Sequence, residues 1–166
     1  MIHVLTSPEV CSFEVVPEGW SPQSLLRAMA TSESPRYHAL IDTGALITGM
    51  TNLEVAKALL SLGLAWCDGV VFLDELDRKM VLVRSTGRVL KMQQCGVPAD
   101  KRFAFYDQVH TTGMDISHVL DAKAVLTISK DMVFRDIAQG AYRMRGINKG
   151  QVWILCILTV KATMTA

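Results

Sequence analysis

The residues best suited to chemistry lie between Phe103 and Gln151. A turn-like stretch runs Tyr106-Asp-Gln-Val-His-Thr-Thr-Gly-Met-Asp115. A basic segment follows, Phe134-Arg-Asp-Ile-Ala-Gln-Gly-Ala-Tyr-Arg-Met-Arg-Gly146. Arg135, Gln139 and Arg143 recur at four-residue spacing, so on a helix they share one face. Two guanidiniums and an amide beside a Thr-Thr-Gly-x-Asp turn suit recognition of a phosphate or a carboxylate. In that turn Thr112 and Gly113 can offer hydroxyl and backbone N–H groups to an anion, with Asp115 gripping a metal-bound water or a neighbouring Arg. The competing reading is a tight turn that Gly113 permits and Asp115 caps. An arginine aimed at a transferring phosphoryl group stabilises its developing charge. Arg143 and Arg145 are two residues apart, so on a regular helix they cannot point the same way. One would serve the site and the other a partner surface; the alternative is a solvated basic helix end, favourable with the helix dipole.

A second constellation is a thiol with an imidazole. Cys95 precedes the strand that leads to His110, and Asp107 and Asp115 are available to orient the ring. A thiolate nucleophile needs such a base and such an orienter. The alternative is a small, partly buried core cysteine and a hydrogen-bonded surface histidine. The run Ala39-Leu-Ile-Asp-Thr-Gly-Ala45 resembles the catalytic loop of aspartic proteases, which need two carboxylates sharing a proton. Here a capped helix follows instead of an all-β continuation, so a strand end turning through Gly44 is the preferred reading, with Asp42 lining the cleft. His3, His38 and His118 are isolated. No residues sit at zinc-ligand spacing, and no metal site is expected.

The chain has 166 residues, enough for one domain with a real core. Half of the residues are hydrophobic and 20% are charged, which places it among globular rather than disordered chains. The net charge of +1 gives non-specific nucleic-acid binding weak global support and leaves nucleic acid an open question. From Lys130 to Gln151, five Lys or Arg against two Asp give a local charge of +3. Cys11, Cys67, Cys95 and Cys156 form no C-x-x-C pair, which predicts free thiols in a reducing compartment. Met1–Val10 does not read as a secretory signal. The apolar run Val152–Val160 is far shorter than the roughly 20 residues of a membrane span. A cytoplasmic protein with no membrane association is the expectation.

The elements that would position these groups are legible as alternating strands and helices. Val10–Val16 reads as a strand. Ser21-Pro22 reads as a cap with Pro at the first helical position, opening a helix to about Ala30. His38–Asp42 is a compact strand. Thr51-Asn-Leu-Glu54 has the capping-box pattern, with Val55, Leu59, Leu60 and Leu62 at helical spacing and Gly63 as a stop. Gly69–Asp74 and Lys79–Arg84 read as a hairpin through the charged link Glu75–Arg78. Arg102–Tyr106, Ala124–Ser129 and Val152–Leu158 are further strands, with a long helix Asp131–Arg145 between the last two. This alternation predicts an α/β fold with a mostly parallel sheet and one antiparallel hairpin. Working residues are then expected beyond the carboxyl ends of the strands, at Asp42–Gly44 and Asp107–Asp115. The expected organisation is an N-terminal extension with one helix over 1–36, an α/β lobe over 37–160 and a tail over 161–166.

Two resemblances attach to these residues. The run Phe103–Gln151 is similar to the second lobe of superfamily-two helicases and of the preprotein-translocase motor. There a T-x-x-x-x-G-x-D turn precedes a strand, and a helix then carries Q-x-x-x-R and a further Arg. His110-Thr-Thr-Gly-Met-Asp115 matches the turn in part, and Gln139 and Arg143 match the first half of the arginine motif. Arg145 lies six residues after Gln139, where the pattern has seven. The resemblance implies a RecA-like three-layer sandwich supplying Arg143 or Arg145 to a preceding P-loop lobe of the same polypeptide. Thr112, Gly113, Asp115 and Gln139 complete that phosphate site. No cofactor is implied within the chain itself; ATP and Mg would come with the partner lobe.

The span Ala39–Gln151 also resembles a segment of very large eukaryotic proteins labelled ubiquitinyl hydrolase or ubiquitin thioesterase. The residues that carry this are Leu40-Ile-Asp-Thr-Gly-Ala-Leu-Ile-Thr-Gly49, Val70-Val-Phe-Leu-Asp-Glu75, Tyr106–Asp115 and Tyr142-Arg-Met-Arg-Gly-Ile-Asn-Lys-Gly-Gln151. The label implies thiol-dependent cleavage of ubiquitin conjugates, with ubiquitin as partner, Cys95 as nucleophile, His110 as base and Asp115 as orienter. The chain is expected to be a piece of a longer hydrolase, inactive alone.

Overall fold

The computed structural model describes residues 7–16, 18–110, 115–147 and 149–158. The Thr111–Met114 part of the anion-turn reading, including Thr112 and Gly113, and the 161–166 tail lie outside them.

Each early element starts where its local chemistry directs. Strand β1 (Cys11–Val16) is followed by helix α1 (Pro22–Thr31). Ser21 caps α1: its Oγ accepts from Ser24 N at 3.1 Å, while Ser24 Oγ accepts from Ser21 N at 2.8 Å. Strand β2 (Ala39–Ile41) leads to α2 (Asn52–Leu62). Glu54 Oε2 accepts from Thr51 N at 2.7 Å and Thr51 Oγ1 from Glu54 N at 3.2 Å, which satisfies two donors that a bare helix start leaves open. Gly63 stops α2 for a steric reason. A Cβ there would sit 2.4 Å from the carbonyl oxygen of Ala30.

Strands β3 (Gly69–Leu73) and β4 (Lys79–Val83) form the expected hairpin. Asp74 organises its turn by accepting from Leu76 N and Arg78 N on one carboxylate oxygen and from Arg78 Nε on the other. A short strand β5 (Val89–Lys91) adds a second antiparallel ladder that the sequence reading lacks. Strands β6 (Arg102–Tyr106) and β7 (Lys123–Ile128), helix α3 (Phe134–Ala141) and strand β8 (Val152–Leu158) complete the chain.

The strands form one sheet in the order β1-β8-β7-β2-β6-β3-β4-β5. Every ladder from β1 to β3 is parallel, and β3-β4 and β4-β5 are antiparallel. The fold is therefore α/β with a mostly parallel sheet. β1 is bonded to β8, and α1 packs its Leu25, Leu26 and Met29 into the same core as α2. β1 and α1 are thus built into the sheet and its first face.

Helices cover both faces. α1 and α2 close over Leu40, Val70, Phe72, Phe103, Phe105 and Val125. α3 and the turn after it close over Ile41, Val71, Ala104, Tyr106 and Leu126 on the other. Right-handed crossovers require this split, because β2 to β3 runs one way along the sheet and β7 to β8 the other. Each such fully buried Val, Leu or Phe is worth about 1.5–3 kcal/mol over its exposed state.

Candidate functional site at the carboxyl rim

β2 and β7 are neighbours whose connections leave in opposite directions, so the crevice between their carboxyl ends is where an open α/β sheet offers a ligand room. Here that crevice is filled by its own side chains. Asp42 is 2% exposed. Its Oδ1 accepts from Thr127 Oγ1 at 2.6 Å and Leu46 N at 2.9 Å, and its Oδ2 from Ile47 N at 2.9 Å. Burial pushes its pKa up, and these three donors pull against that. Thr127 Oγ1 in turn accepts from Gly44 N at 3.0 Å. A Cβ on Gly44 would meet the backbone of Ile128 and Ser129 at 2.9 Å. Asp42 thus pins the turn after β2 and lines no open cleft, which sets aside both its cleft-lining role and the aspartic-protease likeness.

At the end of β6 the chain gathers a different set. His110 Nδ1 lies 2.6 Å from Asp107 Oδ1 and its Nε2 lies 2.5 Å from Asp77 Oδ1. Burial alone would lower the imidazole pKa. The hydrogen bonds and charges of Asp107 and then Asp77 outweigh burial and raise it. The ring is a clasp between the β3–β4 turn and the loop after β6, with each nitrogen against a carboxylate. It borders a cleft of about 670 Å³ with Asn52, Phe72, Leu76, Met80 and Val89.

Beyond the loop, Asp115 Oδ1 accepts from Arg145 Nε at 3.0 Å and Nη2 at 2.7 Å. Lys79 Nζ also donates to the Asp115 carbonyl. Arg145, first in effect, lowers the Asp115 pKa. Both partners of this pair are largely exposed, so it positions more than it stabilises. Arg143 is turned inward and is 8% exposed, within electrostatic reach of Tyr106, Arg145 and Asp115. Tyr106 is fully buried, and its hydroxyl pairs with His118 Nε2 at 2.9 Å. Burial, then His38 and Arg102, lower the His118 pKa to about 4, so the ring is neutral. Tyr106 is pushed well above the ordinary phenol range, first by burial.

The helix that carries these arginines is shorter than its sequence suggests. α3 spans Phe134–Ala141, not Asp131–Arg145. Asp136 Oδ2 accepts from Val133 N and fixes the start. At the far end, Arg143 N bonds to Gly140 O and Met144 N to Ala141 O, both at 3.0 Å, which tightens the chain out of α geometry. Arg135 and Gln139 are exposed while Arg143 is buried, so the three do not share a face. Arg143 and Arg145 do diverge, one inward and one outward.

The thiol constellation is not assembled. Cys95 follows a single 3₁₀ turn (Met92–Gln94) and packs against the second-face cluster. His110 borders the first-face cleft with both nitrogens committed to carboxylates, and Asp115 is held by Arg145. Asp77, Lys79 and the Tyr106–His118 pair were not singled out from the sequence. Asp77 lies 33 residues from His110, and no local pattern ties the two.

Compared with protein-family models, with curated proteins and with solved structures, the chain matches none. Among the described residues there is no group of three or more His, Cys, Asp or Glu placed to hold a metal ion. No helix among them is long and apolar enough to cross a membrane.

Proposed function

We propose that the chain is the second, RecA-like lobe of a nucleotide-driven motor of the superfamily-two helicase or translocase type. It supplies Arg145 to a triphosphate held by a preceding P-loop lobe. The observation that carries this is the Asp115–Arg145 pair. It joins the loop after β6 to the turn after α3, and so holds an exposed guanidinium in place before any phosphate arrives. A pre-oriented fork loses less entropy on meeting a phosphate than a free one. The mostly parallel sheet with helices on both faces is compatible with a three-layer sandwich of that kind. Arg143, buried beside Tyr106, serves as packing and background charge. Cleavage of ubiquitin linkages by Cys95 finds no such support, because both ring nitrogens of His110 are engaged by carboxylates and neither is offered to a thiol.

The test is nucleotide turnover in a polypeptide carrying both lobes. Arg145→Ala is expected to lower turnover by about 10³-fold or more with nucleotide binding retained, as for an arginine finger. Turnover unchanged by Arg145→Ala ends this reading.

A further inference from the structure

We infer that a cationic cleft on the second face of the sheet is a binding site for a compact, multiply charged phosphate compound. The cleft holds about 540 Å³, within the range of small-ligand sites. Arg78, Lys79, Lys91 and Arg102 line it, against one carboxylate, Asp77. Strand alternation sets this up. Arg102 lies on the face of Ala104 and Tyr106, Lys79 on that of Val81, and the chain after Lys91 folds Met92 over the same side.

The charges divide into spent and unspent. Arg78 is paired with Asp74, and Asp77 is taken by His110. Lys79 donates to the Asp115 carbonyl and lies near that residue's carboxylate, which Arg145 already pairs. Lys79, Lys91 and Arg102 have no carboxylate partner among the described residues. The Nε of Arg102 is sealed from solvent and, among the described residues, has no hydrogen-bond acceptor. A buried donor without an acceptor is destabilising, and Arg102 is among the residues that line the cleft. Three cations around one recess focus the field inward and call for several negative charges on a small body. A phosphate offers tetrahedral oxygens to all three and matches the guanidinium fork. Met92 is the one apolar residue of the lining. The cleft includes neither Arg143 nor Arg145 and meets the Asp115–Arg145 pair only through the contact of Lys79 with the Asp115 carbonyl.

Titrating the full chain with inorganic tripolyphosphate while following backbone amide NMR signals tests this. Saturable shifts centred on Lys91–Gln93 and Arg102 are expected. Lys91→Glu, on an exposed side chain, should weaken binding by about ten-fold or more, roughly the loss of one charge-assisted contact. Arg102→Lys should keep the fold by circular dichroism and also weaken binding, because it keeps the charge and loses the fork. Shifts centred on Arg145 with none at Lys91–Gln93 and Arg102, or affinity unchanged by Lys91→Glu, overturn the proposal. So does a single-stranded oligonucleotide that binds the same amides more tightly than tripolyphosphate, since it would make the recess a nucleic-acid groove.

Discussion

Thr127 Oγ1 donates to Asp42 Oδ1 at 2.6 Å and accepts from Gly44 N, so one hydroxyl on β7 ties down both the carboxylate and the turn that follow β2. Thr127→Val keeps the shape and removes both bonds. It leaves Asp42 Oδ1 with Leu46 N alone and strands the Gly44 amide, the latter costing about 1–3 kcal/mol. Chemical denaturation is expected to show a loss of that order or more with an unchanged m-value. A loss below about 0.5 kcal/mol, the usual size of an inconsequential surface change, would mean the crevice repacks without the hydroxyl.

Arg84 closes the other end of α2 from a distance. Its Nε donates to Cys67 O, its Nη1 to Leu60 O, and its Nη2 to Gly63 O and Leu64 O, at 2.7–3.1 Å. Those carbonyls include ones a helix end leaves without partners. Arg84→Ala is expected to cost about 1.5–3 kcal/mol, and Arg84→Lys to recover less than half, because an ammonium cannot span four acceptors in a plane. Full recovery by Lys in thermal unfolding would reduce Arg84 to a point charge near the helix dipole.

These two clamps show why the fold was partly legible in the sequence. Capping is local, so Ser21-Pro22 and Thr51-Asn-Leu-Glu54 announced α1 and α2, and Gly63 its stop, within a few residues. Continuous apolar runs such as Gly69–Leu73 announced buried strands. Arg84 reaches α2 from the turn after β4, more than 20 residues on, and its own neighbourhood gives no sign of it. The end of α3 was missed for another reason. The four-residue spacing of Arg135, Gln139 and Arg143 persists past Ala141, but Gly140 seats against Thr43 and Leu126, where a Cβ would meet Thr43 Oγ1 at 2.4 Å. Periodicity in the sequence cannot register that tertiary contact. β5 was missed because its three residues, Val-Leu-Lys, are too few for alternation to show.

The clasp at His110 makes a pH prediction. Its folded pKa is raised above the ordinary 6.5. A group with a raised folded pKa adds stability that is full below the unfolded value and is lost as pH rises through the folded one. Opening of the β3–β4 turn should therefore increase from about pH 6.5 upward. The His110 Cε1 proton should titrate above 6.5 in NMR, and Asp77→Asn should move its midpoint down. A midpoint at or below 6.5 in the parent chain would show that burial outweighs the two carboxylates.

Cys95 offers the sharpest separation between the two family likenesses. Cys95 packs against the second-face cluster, and the ring nitrogens of His110 are engaged by Asp107 and Asp77, so among the described residues no contact joins this thiol to that imidazole. Incubation with a ubiquitin vinyl-sulfone probe is expected to give no adduct at Cys95 by intact mass. Cys95→Ala should leave any turnover of the two-lobe polypeptide unchanged. An adduct that forms at Cys95 and disappears on His110→Ala would mean the loop after β6 rearranges to bring the imidazole across the sheet edge. It would return the chemistry to the thiol.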